Sequence, residues 1–142
     1  TISASTWFHA AGVWNSVTSR ASYLNGTNKG TSSASATPIG INRTAIGMRD
    51  NTDNNDPFLG ALVEVAIWNI ALTDAEVAVL AKGLSPLLMH TEALVAYWPL
   101  VGNNSPENNF KSNSAVMSIT GSLSKAAHPR IIMPKRRRLI CL

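Results

Sequence analysis

The chain of 142 residues has a single cysteine, Cys141, beside its C-terminal end. No internal disulfide can therefore support the fold. Charge is scarce as well: Asp, Glu, Lys and Arg make up 14% of residues, against 45% hydrophobic ones. That composition is globular, and too apolar for an intrinsically disordered chain. No apolar run approaches the ~20 residues needed to cross a bilayer, so membrane insertion is not expected. The opening TISASTWFHA has neither a basic n-region nor an apolar h-region, and no signal peptide is read there. The three histidines, His9, His90 and His128, are far apart and lack the spacing of a zinc site. There is no G-x-S-x-G elbow and no glycine-rich phosphate loop.

The charge that is present is unevenly placed. The net charge is +4, and Lys135, Arg136, Arg137 and Arg138 supply all of it; the remainder has 8 basic and 8 acidic residues. The body of the chain gives no electrostatic reason to expect nucleic acid, which only the basic tail could engage. PKRRR resembles a nuclear localisation run and is equally suited to phosphate or another polyanion. The apolar pattern ends at Pro134, which divides the chain into one domain over residues 1–134 and a disordered basic tail over 135–142.

Short apolar runs separated by Gly, Asn, Ser and Thr predict many short strands. The runs are Thr6–Trp14, Ala21–Leu24, Thr27–Lys29, Ala45–Met48, Gly60–Asn69, Leu94–Leu100, Val116–Thr120 and Arg130–Met133, with Thr31–Thr37 as a polar loop. Asn25-Gly26 predicts a hairpin, because a type I′ turn needs positive φ at both central residues. In Gly60–Asn69, alternation sets Ala61, Val63, Val65 and Ile67 on the face expected to meet the core. One helix is predicted near residues 74–82. Thr73-Asp74-Ala75-Glu76 is a capping box, Val77 and Leu80 are its apolar stripe, and Gly83 is its stop. The fold class expected is all-β, an antiparallel β-sandwich with this one short helix.

Particular segments carry a resemblance. They are Trp7–Trp14, Tyr23–Gly26, Ile46–Gly47, Leu94–Leu100 and, most specifically, FLGALVEVAIWNIALTDAEV. Together they resemble a concanavalin A-like jelly roll of the laminin G and pentraxin type, over roughly residues 5 to 100. The resemblance implies a noncatalytic module for adhesion or for recognition of a glycan or protein at an extracellular, cell or virion surface. The alternative is a structural assembly protein of a virion or surface layer. Val63 stands where the family usually has Asp. The match begins partway through such a domain, which leaves three readings: a fragment, a cut-down domain, or one piece of an assembly. In the last, a second copy or an upstream partner supplies strands to otherwise unpaired sheet edges.

The richest oxygen cluster is RDNTDNNDPF, residues 49–58. Asp50, Asp53, Asn54, Asn55 and Asp56 carry the carboxylate and amide oxygens that Ca²⁺ prefers. EF-hand spacing fails, because Asp56 stands where that loop needs glycine. The same residues also suit a plain turn, since Asn and Asp tolerate left-handed backbone. The resemblance places this stretch where pentraxin-type domains gather calcium ligands, and so implies Asp50, Asp53, Asn54 and Asp56 as ligands of a bound Ca²⁺. Glu64 raises an enzyme question, since glucanases of this superfamily use an E-x-D-x-x-E strand. Here the strand reads EVAIWN, without the partner carboxylates, so Glu64 is expected to be structural. Trp7, Trp14, Trp68 and Trp98 are expected to pack in the core. Asn25, Asn42 and Asn103 begin glycosylation acceptor patterns, which chance explains in so Asn-rich a chain.

Overall fold

A computed structural model describes residues 3, 5–40, 44–47, 57–102, 104–112, 115–119, 124 and 126–133. Among these the chain forms five strands and one α-helix. Strands β1 (Ala10–Ser16), β2 (Ser19–Leu24) and β3 (Asn28–Ser32) make an antiparallel sheet in the order β1-β2-β3. Strands β4 (Val65–Trp68) and β5 (Leu94–Trp98) form a second antiparallel pair, with helix α1 (Asp74–Ala81) between them in sequence. The fold is all-β with one helix, as the sequence predicts.

The hairpin between β2 and β3 turns at Asn25-Gly26, where φ is +54° and +74°. Leu24 pairs with Asn28, so Thr27 also belongs to the loop and the turn is one residue longer than a two-residue type I′ hairpin. β3 runs on to Ser32, into the predicted polar loop, because Ala21 and Arg20 pair with Thr31 and Ser32. Pleating sets Ala11, Val13, Ala21 and Tyr23 on one face, and Ala10, Gly12, Trp14, Arg20 and Ser22 on the other. The first face is the more buried.

Helix α1 starts on the predicted capping box. Thr73 accepts from the Glu76 amide, and the Glu76 carboxylate accepts from the Thr73 amide at 2.7 Å. Gly83, at φ +90°, follows its last turn and donates to Leu80. Val77 and Leu80 are buried, and they join Tyr23, Ala93, Leu94, Ala96, Tyr97 and Trp98 in the apolar core. A 3-10 turn at Pro86–Leu88 leads into β5; Ser85 caps it and proline sits in its first turn.

Five predicted elements differ. Strand pairing between Gly60 and Asn69 is confined to Val65–Trp68, because Glu64 takes a left-handed φ of +56° that interrupts the extended path. That break removes the expected alternation: Ala61 and Ile67 are exposed. Residues 45–47 form no strand. Among the described residues of Val116–Thr120 only Met117 pairs, with Glu107, and within Arg130–Met133 only Ile132 pairs, with Leu84. The first predicted strand begins at Ala10, so Trp7 lies outside it.

Candidate binding surface

Asp50, Asp53, Asn54, Asn55 and Asp56 lie outside the described residues, as do Asn42, Asn103 and the basic tail. What the structure shows is the frame of the acidic loop. The Phe58 amide donates to the Gly47 carbonyl at 2.7 Å, so the two ends of the stretch meet. Gly47 has φ +81°, and a Cβ there would lie 3.1 Å from the Leu62 side chain. Glycine thus serves both the backbone turn and the close approach. The loop leaves and returns through one closed base.

Near that base is a cleft of about 210 Å³, lined by Thr44, Ile46, Trp98, Ala115, Val116 and Met117. Its floor is fixed by the Trp98 indole, which donates to the Ala115 carbonyl at 3.1 Å. The Glu107–Met117 pairing braces the same wall with reciprocal backbone bonds of 2.9 Å. Trp68 is anchored similarly, by donation to the Met89 carbonyl. Trp7 and Trp14 depart from the core expectation: they are 40% and 47% exposed. Trp14 lies on the outward face of β1, and the Arg20 guanidinium stacks 4.9 Å from its ring centroid. The strand pattern alone did not say which face would be covered.

Glu64 has the structural setting expected of it. Tyr97, 1% exposed, donates its hydroxyl to the Glu64 carboxylate at 2.7 Å. His128 Nε2 lies 3.2 Å from the other carboxylate oxygen. Burial first, and then the neighbouring Glu64 carboxylate, push the Tyr97 hydroxyl well above its ordinary pKa. Its proton is held firmly, so Tyr97 acts as a donor. The Glu64 carboxylate is thus committed to an internal tyrosine and histidine. His128 belongs to the C-terminal segment, which also binds the body where Ile132 donates to Gly83 and accepts from Ser85.

The histidines stand in three separate settings. His9 is half-buried, which lowers its pKa, and its amide donates to Asn25 Oδ1. His90 contacts Glu76 through Nε2 at 2.6 Å and Glu92 through Nδ1 at 3.4 Å. Both ring nitrogens therefore face carboxylates, which favours the doubly protonated ring. The Glu76 bond is the chief cause of a raised His90 pKa. Glu76 is held down to about 2, first by the Thr73 amide and then by His90. This pair clamps the start of α1 to the turn before β5. The His90 contribution is full below its ordinary 6.5 and fades as pH rises through its raised value. The Glu76 contribution is full above 4.5 and fades as pH falls toward 2. The clamp is thus strongest between about pH 4.5 and 6.5. Thermal unfolding should show the melting temperature falling from pH 6 to pH 9 more steeply in the wild type than in His90→Ala, with the gap shrinking in high salt. Parallel curves would refute the clamp.

Two short antiparallel sheets and one capped helix define an all-β domain. Within that class, a laminin G model of the concanavalin A-like lectin/glucanase superfamily matches residues 1–78. That is more than half of the chain, and the chain belongs to this superfamily. Among curated proteins none matches significantly. Among solved structures the chain is similar to residues 221–444 of an S-layer domain-containing protein from Clostridium thermocellum. The two are 23% identical with a TM-score of 0.48, over 57% of this chain and 42% of that one. The chain thus spans less than half the length of that neighbour.

Proposed function

We propose that this domain is a noncatalytic binding module that recognises a glycan or a protein at a cell or virion surface, with the loop over Asp50–Asp56 as its contact and Ca²⁺ as an aid. Membership of the superfamily supports binding as the general role, and fold alone does not set the ligand. The observation that carries the noncatalytic reading is the fate of Glu64. Its carboxylate is spent on Tyr97 and His128, and the strand EVAIWN brings no second carboxylate beside it. The closed loop base at Gly47 and Phe58 supports the loop as the contact, since it presents the acidic stretch from a fixed frame. Asp50, Asp53, Asn54 and Asp56 are the proposed calcium ligands, all hard oxygen donors.

Millimolar Ca²⁺ should raise the melting temperature, because a ligand bound only by the folded state stabilises it. Asp53→Asn combined with Asp56→Asn should abolish that rise. If calcium produces no shift in the unaltered chain, the cation site is wrong. A glycan array that is blank with and without calcium would move the ligand from glycan to protein. The rival reading, an assembly component of a virion or surface layer, draws on the many exposed apolar side chains, among them Trp14, Val17, Phe58, Leu59 and Ile67.

A further inference from the structure

The β1-β2-β3 sheet has two edges of very different character. β3 is exposed at all five positions, polar throughout, and carries Lys29. Those are the features by which sheet edges avoid unwanted pairing. β1 is the longest strand among the described residues, has no charged residue, and reads AAGVWNS. Among the described residues no strand pairs with its outer edge.

The hydrogen-bond phase of that edge can be derived. The Asn25 amide bonds the His9 carbonyl, so the His9–Asn25 pair is of the hydrogen-bonded kind. In an antiparallel ladder such pairs alternate, so Ala11 and Val13 bond toward β2. The amides and carbonyls of Ala10, Gly12 and Trp14 then point outward. A second copy of β1, related by a two-fold axis at Val13, meets this phase. Gly12 of each copy bonds Trp14 of the other, and the two Val13 residues sit opposite each other at the axis.

The side chains fit the same register. A Cβ at Gly12 would meet nothing within 4 Å, so the surface above it is open. Trp14 lies on the same outward face and is nearly half exposed. Two-fold pairing sets each indole beside the partner's bare glycine, an arrangement in which an aromatic covers backbone that glycine leaves exposed. At Val13 the apolar inner faces become continuous. The joined sheet then ends in the polar β3 strand on both sides, so pairing stops at two copies.

We infer that the open edge of β1 is a homodimer interface, in which two copies of this chain pair antiparallel about Val13 with Trp14 of each packed over Gly12 of the other. The inference is independent of whether the acidic loop binds calcium or a glycan. It predicts that sedimentation or light scattering of the full chain at micromolar concentration finds a dimer. Gly12→Lys has open space in the single subunit, so it should keep the circular dichroism and melting profile of an isolated subunit while weakening dimerisation at least tenfold. Asn28→Lys on β3 should leave dimerisation unchanged. In a Cys141→Ser background, Val13→Cys should cross-link into a covalent dimer, because directly opposed residues of this kind lie about 4.5 Å apart at Cα. A monomer in the unaltered chain would overturn the inference. So would a dimer that ignores Gly12→Lys, or one in which Val13→Cys fails to cross-link.

Discussion

An alanine at position 26 is expected to destabilise the domain more than any change at an exposed strand position. Gly26 sits at the tip of the β2–β3 hairpin with φ +74° and is buried. Its added Cβ would lie 2.7 Å from the Ala78 Cα and 2.8 Å from the Ala81 Cβ. Neither obstacle can rotate away, since one is helix backbone and the other a methyl with no torsion that moves its carbon. Left-handed backbone costs a residue with a Cβ about 1–2 kcal/mol. Overpacking adds about 1–3 kcal/mol. Together these approach much of the total stability of a small domain, about 5–15 kcal/mol. Chemical denaturation should show a lower midpoint with an unchanged slope. Gly30→Ala is the control: it makes the same change on the exposed β3 strand, where the added Cβ meets only the rotatable Ser22 hydroxyl, and should change stability by only a few tenths of a kcal/mol. Equal losses at the two sites would mean that the hairpin does not rest on α1.

The second large effect is expected at Tyr97. Its ring is buried, packs edge-on against Phe110 at 6.1 Å, and carries the hydroxyl that serves Glu64. Removing the ring in Tyr97→Ala should cost about 3–5 kcal/mol, as other buried aromatics do. Tyr97→Phe separates the two contributions. It keeps the packing and leaves the Glu64 carboxylate without its buried donor, for a loss of about 1–3 kcal/mol. Glu64→Leu removes the acceptor as Tyr97→Phe removes the donor. A double-mutant cycle of Tyr97→Phe with Glu64→Leu should therefore show clear coupling, read from urea denaturation. Strict additivity would mean that the bond contributes nothing to the fold.

Local chemistry was legible where one or two residues decide the outcome. Thr73 to Glu76 announces a helix start, and the structure contains the whole reciprocal cap. Asn25-Gly26 announces a turn, and both residues take positive φ. Ser85-Pro86 carries a comparable signal, and the structure forms a 3-10 turn there. Strand extents were less legible, because pairing depends on what lies alongside. A run such as GALVEVAIWN looks uniform in sequence, yet Glu64 breaks it by reaching for Tyr97, which lies 33 positions away. Burial of the tryptophans was legible for Trp98 and in part for the half-buried Trp68, both of which find carbonyl partners for their indoles, and not for Trp7 and Trp14. The contacts His90–Glu76 and His128–Glu64 depend on chain returns that no short pattern encodes. For the acidic loop, sequence supplied the oxygens and structure supplied only the closed base.

The first turn of α1 has one more consequence. Asp74 accepts from the Tyr23 hydroxyl at 2.6 Å and from the Lys29 ammonium at 2.8 Å, so a single helix residue holds both strands of the hairpin. Gly26 seats the tip of the same hairpin against the next turns of that helix. Two elements that are 45 positions apart are thereby fastened at two points and are expected to open together. Hairpin and helix should therefore behave as one cooperative unit, whose amide protons are expected to exchange with solvent through a shared opening event rather than by fraying strand by strand.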